Sequence, residues 1–211
     1  MALQPAASRG ARRRSATRTA LVSAAEGLFA ARGVEAVTID EIVSAADVAK
    51  GSFYNHFQGR DDLAREVARL VREEIEAEIT AANAGVKDPA RRMIQAHAAA
   101  LNYVWQKPVR AAAQARLHAG ATSAEAPMNA GVRHDLQEGL AQGRFKGVTV
   151  AGGVIFVLGV ALGGMAAMLD DPTPARAHAL IGDLGPALLR GLGMDTDEAV
   201  RLAQAAAQGD S

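Results

Sequence analysis

Residues 38–57 read TIDEIVSAADVAKGSFYNHF, and this stretch decides how the chain folds. Thr38 followed three residues later by Glu41 is a capping box. The Thr hydroxyl accepts an early helix N–H, and the Glu carboxylate reaches back to the N–H of the cap. Ile39, Ile42, Val43 and Ala46 supply the buried side of a short helix behind it. Asp47 stands where the chain must turn, and Asp enters the left-handed region more readily than most residues. Val48 plugs the angle between two crossing helices, while Phe53 and Phe57 anchor the second helix from inside. The spacing predicts a helix-turn-helix.

Packing does not account for the polar residues in between. Lys50, Ser52, Tyr54, Asn55 and His56 crowd onto one short helix that buries only Phe53 and Phe57 firmly. Gly51 costs a helix about 1 kcal/mol relative to Ala and makes sense where another backbone comes close. Lys50 offers a cation, and the others offer hydrogen-bond donors for phosphate oxygens or base edges. An ordinary polar helix surface is the alternative.

Upstream, Leu21, Ala25, Leu28 and Phe29 recur at helical spacing and predict a helix from about Ser15 to Arg32, stopped by Gly33. Before it, residues 1–14 carry four arginines and no acid, and no apolar run follows as a signal peptide requires. This segment is expected to be a flexible basic arm, either a solvated tail or a phosphate-binding or minor-groove arm. Residues 1–60 hold eight basic and five acidic side chains, so this end stands at +3 and the remainder at −3 around a net charge of zero. That asymmetry suggests an anionic partner at the N-terminal end.

The run TIDEIVSAADVAKGSFYNHFQGRDDL, with LFAARGVEAV before it, resembles the N-terminal domain of the tetracycline-repressor (TetR) family of bacterial regulators. The resemblance covers roughly residues 15–63. It implies a three-helix DNA-binding domain over 15–60 whose third helix reads DNA. Carried over by position, Thr38, Lys50, Tyr54, His56 and Arg60 contact phosphates, while Gly51, Ser52 and Asn55 lie closest to the bases. Two departures weaken affinity. Asp47 replaces the glycine common at the turn and puts an acid near DNA. Ala49 replaces a frequent serine or threonine and forfeits a helix cap and a phosphate contact.

Residues 61–211 are expected to form a larger helical body for effector binding and dimerisation, so the fold class is all-α. Leu63, Val67, Val71, Ile75 and Ile79 repeat every fourth residue on a long helix, with Asp61–Arg65 and Arg72–Glu76 as exposed pairs. After Asn83-Ala84-Gly85, Asp88-Pro89 opens another helix on which Ile94, His97, Leu101, Val104 and Trp105 share a face. His97, Leu101, Trp105 and Arg116 are the candidate ligand contacts, with core packing as the competing reading for His97 and Trp105. Tyr103, Arg116 and His118 are expected at the surface. Residues 120–127 read as a loop. His134 and Glu138 stand four apart, a metal-compatible spacing, but an exposed helix surface is favoured.

Residues 148–169 run for 22 positions without a charge, long enough for a membrane span, and include Gly159-x-x-x-Gly163. Five glycines, alanine-rich content and a single flanking Lys146 favour instead a buried helix facing a partner subunit. The family resemblance places the homodimer interface at about residues 149–190, and Asp195 to Ala207 is expected to be a terminal helix.

With 49% hydrophobic residues, the chain can build a core without disulfides. The absence of cysteine excludes thiolate metal sites and cysteine nucleophiles. No strand-turn-helix nucleophile motif, phosphate loop or metal-spaced cluster is present, so the chain is not expected to be an enzyme or to need a cofactor or metal. The expected function is a cytoplasmic, ligand-responsive transcriptional regulator. It would be a repressor that binds a palindromic double-stranded operator as a dimer and is released by a small-molecule inducer, without a membrane partner.

Overall fold

The computed structural model describes residues 9–117, 126 and 129–209. Among them lie ten α-helices and no strand: α1 Arg9–Arg32, α2 Ile39–Ala45, α3 Lys50–Tyr54, α4 Arg60–Ala82, α5 Pro89–Gln106, α6 Pro108–Arg116, α7 Ala130–Ala141, α8 Val150–Leu169, α9 Pro174–Gly191 and α10 Thr196–Gln208. His118 and most of the expected 120–127 loop lie outside the described residues.

The arm is corrected over part of its length, because Arg9 to Arg14 already belong to α1. Arg and Ala are good helix formers, and no proline interrupts the run. Leu21, Ala25 and Phe29 are fully buried. The Gly33 N–H closes α1 onto the Phe29 carbonyl at 2.9 Å, with φ at +77°.

α2 starts with both halves of the capping box in place. The Glu41 N–H donates to Thr38 Oγ1 at 3.2 Å, and the Thr38 N–H donates to Glu41 Oε2 at 2.8 Å. Asp47 takes a positive φ of 52°, the one non-glycine residue to do so among those described. It lets the Val48 N–H return to the Val43 carbonyl at 3.0 Å. α3 is shorter than its polar pattern implied. It ends at Tyr54, with Asn55 as its cap and His56 in the turn. The chain must bend there to bury Phe57 beside Phe53, with ring centroids 5.9 Å apart.

α4 carries Leu63, Val67, Val71 and Ile75 into the core, so the helix leaving the head is welded to the body. Arg72 pairs with Glu76 at 3.1 Å as expected, whereas Arg65 pairs with Asp62 rather than Asp61. α6 lies against α1, and Arg110 bridges Glu26 of α1 and Glu74 of α4, each at 2.8 Å. Tyr103 departs from its expected surface position. It is 1% exposed and donates its hydroxyl to Glu74 at 2.9 Å.

A second cluster of buried side chains joins α5, α7, α8, α9 and α10 around Ile94, Leu136, Phe145, Val154 and Leu188. Caps order this half. Asp88 accepts the Ala90 N–H and two bonds from Arg144, through Nε and Nη2, each at 2.9 Å. Thr149, Thr173 and Asp195 cap α8, α9 and α10. α8 is long and apolar enough to cross a membrane, yet only 28% of its apolar window is buried within the chain.

Candidate nucleic-acid interface and ligand cavity

The two-helix corner presents its predicted residues in three places. Lys50 and Tyr54 project from α3 into the open, and Tyr54 is 56% exposed, unusual for an aromatic ring with no partner beyond an edge contact to Phe53. The Lys50 ammonium rests on Asp40 of α2 at 2.7 Å, which raises its pKa, chiefly through that hydrogen bond. Gly51 lies beside them, and a Cβ there would meet nothing within 4 Å. No internal contact requires glycine at this position.

Ser52, Asn55 and His56 line a shallow groove whose other wall is Arg13, Arg14 and Thr17 of α1. Arg14 Nη2 donates to the Asn55 carbonyl at 3.3 Å. Burial, then the positive charges of Arg14 and Arg18, push His56 down, so its ring stays neutral at neutral pH. Arg9 to Arg14 therefore lie next to α3 as a helical extension of α1.

Thr38 and Arg60 meet in a separate shallow groove. The Thr38 hydroxyl is committed to the cap, since it also donates to Glu41 at 2.9 Å. Arg60 is held by Glu35 at 2.7 Å and by Asp61 at 3.3 Å. The hydrogen bond from Arg32, followed by those from Thr38, holds the Glu41 carboxyl down at about 2. The corner thus keeps its cap through the physiological pH range.

The absent cap on α3 is visible directly. Ala49 occupies the N-cap position with extended backbone angles and no side-chain bond. Ala49→Ser should restore one, with a gain of about 1 kcal/mol in a urea melt and tighter DNA binding. An unchanged melt would show that the position does not act as a cap.

The second site is a cavity of about 610 Å³ enclosed by α4, α5, α7 and α8 with the end of α6. Ile75, Ile79, Met93, Val132, Leu162 and Met165 give it an apolar wall. At its polar end Arg92 binds Asp135 at 2.7 Å together with Glu138. Arg72 binds Glu76 and donates to Asn129 at 3.0 Å. Ligand atoms of His134, Asp135 and Glu138 lie within 4.8 Å of one another. A metal ion there would have to displace Arg92 from both carboxylates.

Of the four candidate ligand contacts, only His97 stands on this wall. Leu101 is fully buried behind it, Trp105 donates to Asn102 at 3.2 Å away from the cavity, and Arg116 lies by a surface groove near Gly33. The shared helical face of α5 put them together, but the cavity touches only the part of that face opposite α8. The missed lining residues come from helices far apart in sequence, and no local pattern marks them.

His97 is 4% exposed, and among the described residues neither ring nitrogen has a hydrogen-bond partner. Burial alone drives its pKa from 6.5 down to about 4. Between those values the unfolded chain takes up a proton that the folded chain refuses. The His97 contribution is therefore complete above pH 6.5 and is lost as the pH falls towards 4, by roughly 3 kcal/mol at most. Urea melts of the wild type and His97→Phe across this window should diverge in that sense. Parallel pH profiles would mean that the imidazole is not buried neutral.

Residues 21–67 match the family model described as bacterial regulatory proteins, tetR family. A transcriptional repressor of Rhodococcus jostii strain RHA1, KstR2, is 39% identical over 56 residues, 26% of this chain and 28% of its own length. The matched stretches span 24–44% of the length of the curated relatives. Similarity of fold extends further. A gamma-butyrolactone receptor structure superposes with a TM-score of 0.67 at 21% identity, covering 93% of this chain and 98% of that one. RolR in complex with resorcinol superposes with a TM-score of 0.60 at 24% identity, covering 92% and 95%. Residues 21–67 thus carry a helix-turn-helix head of the tetR family type, and the chain around it has an all-α fold similar to those of the butyrolactone receptor and RolR.

Proposed function

We propose that the chain is a ligand-responsive transcriptional repressor that binds a near-palindromic operator as a homodimer, in the cytoplasm. The observation that carries this reading is the surface of α3, where exposed Tyr54 and Lys50 flank a glycine that no internal contact explains. Lys50, Tyr54, His56 and Arg60 serve phosphates, while the Thr38 hydroxyl stays with its cap; Gly51, Ser52 and Asn55 approach base edges. Relatives named as repressors, and a fold shared with a butyrolactone receptor and a resorcinol-bound regulator, support both halves of the reading.

The dimer contact is assigned to α8 and α9. Ile155, Gly159, Gly163 and Ala166 are exposed along one stripe of α8, and Ile155 is 55% exposed. A second copy would cover this apolar face, and its two recognition helices would then reach adjacent major-groove faces. Inducer must bind the DNA-incompetent state better, and DNA must weaken inducer binding by the same factor.

The test is binding to DNA flanking the gene of this protein, by mobility shift and fluorescence anisotropy over a salt series. Specific binding that weakens steeply with salt is expected, with two protomers per site by sedimentation. Equal affinity for operator and random DNA would defeat the proposal.

A further inference from the structure

The cavity has a chemistry of its own, which narrows what can occupy it. Its walls are apolar over most of their extent, and its volume of about 610 Å³ suits a small organic molecule. The charged side chains of its lining are already matched. Arg92 holds Asp135 and Glu138, and it also donates to the Val86 and Lys87 carbonyls. Arg72 holds Glu76 and Asn129. A ligand carboxylate would have to break one of these pairs and leave a protein carboxylate without its partner in a half-buried place, which costs more than the new pair returns.

The deep wall differs. His97 stands there among apolar side chains, neutral at physiological pH, with both ring nitrogens lacking a partner among the described residues. A buried imidazole in that condition forgoes a hydrogen bond that a ligand can supply. The Asn83 side-chain oxygen, at the far end of α4 and also on the wall, is likewise without a donor.

Building on the reading of this cavity as the effector site, we infer that the effector is an uncharged, mainly apolar molecule carrying a hydroxyl or carbonyl oxygen that hydrogen-bonds to His97. The nitrogens lie within the wall, so the ring meets the ligand by turning about its second side-chain torsion, which is soft for imidazole. Neutral imidazole has one donor and one acceptor nitrogen, so it can accept from a hydroxyl or donate to a carbonyl. Discrimination follows from the wall: an apolar body gains burial, the oxygen gains a partner, and an ionised group finds no unmatched counter-charge.

The probes are para-hexylphenol, uncharged at neutral pH because a phenol titrates near ~10, and para-hexylbenzoate, an anion of similar size and shape. Calorimetry with the full chain should show the phenol binding at least ~10-fold more tightly than the benzoate, or about 1.4 kcal/mol. His97→Phe keeps the ring shape and removes both nitrogens. It should cost the phenol ~10-fold or more and leave the benzoate unchanged, with the melting temperature equal or higher because an unpaired polar group has gone. Retained phenol affinity in His97→Phe, a benzoate bound as tightly as the phenol, or binding of neither probe would overturn the inference. Operator binding by the same preparation is read separately. Loss of DNA binding beside intact phenol selectivity would sink the regulator reading and leave the ligand class standing.

Discussion

A Lys50→Ala/Tyr54→Ala double variant is expected to lose operator affinity by about 100-fold or more while its melting temperature stays within a degree or two of the wild type. Both side chains project from α3 into the open, and among the described residues the Lys50 ammonium pairs with the exposed Asp40 carboxylate alone. Removing them takes nothing from the core, which is held here by Phe53 and Phe57. If the two groups contact phosphates, affinity should fall for every sequence alike, and the slope of log affinity against log salt should flatten by about one unit for the lysine. Fluorescence anisotropy on operator and random DNA reads both quantities. Unaltered affinity would remove α3 from the interface.

Gly193→Ala is expected to cost about 3 kcal/mol or more, read as a shift of the urea midpoint. Gly193 follows α9 with φ at +83°, in the left-handed region, and a Cβ there would stand 2.2 Å from the Lys146 carbonyl oxygen. That oxygen is backbone, in a loop tied to the end of α9 by the Lys146 N–H to the Leu192 carbonyl at 2.8 Å. It cannot retreat alone, because neighbouring Phe145 is 1% exposed and wedged against Gly139. Gly209 provides the control. It has the same sign of φ but open space around its Cα, so Gly209→Ala should cost only about 1 kcal/mol. Equal effects at the two positions would show that backbone conformation alone, without the Lys146 contact, sets the cost.

The head was legible because its signals are local. A capping box spans four residues, an Asp at a positive-φ turn needs only its own backbone, and Phe53 and Phe57 declare their burial by spacing. The end of α3 was less legible. The polar run to His56 reads as helix, but the bend that buries Phe57 cuts it at Tyr54. The arm shows the same limit in reverse. Arg9 to Arg14 continue α1 and bring Arg14 onto Asn55, a contact 41 residues away in sequence that no composition rule contains.

The body divides differently. Helical periodicity alone gave α4 and α5 and placed His97 on an inward face, since a 3.6-residue repeat reports burial whatever the partner. Which inward residues face solid core and which face a hollow depends on where α7 and α8 cross α4 and α5, a matter of tertiary packing. Leu101 and Trp105 share the α5 face with His97, yet only His97 meets the cavity. No local pattern singles out Arg92, and in the fold it pairs with two carboxylates brought in by α7. The sequence by itself thus determined the helix-turn-helix head, whose signals each lie within a few residues of chain. Only the tertiary structure decided the cavity, because its walls and its balanced charges come from helices that local spacing cannot align.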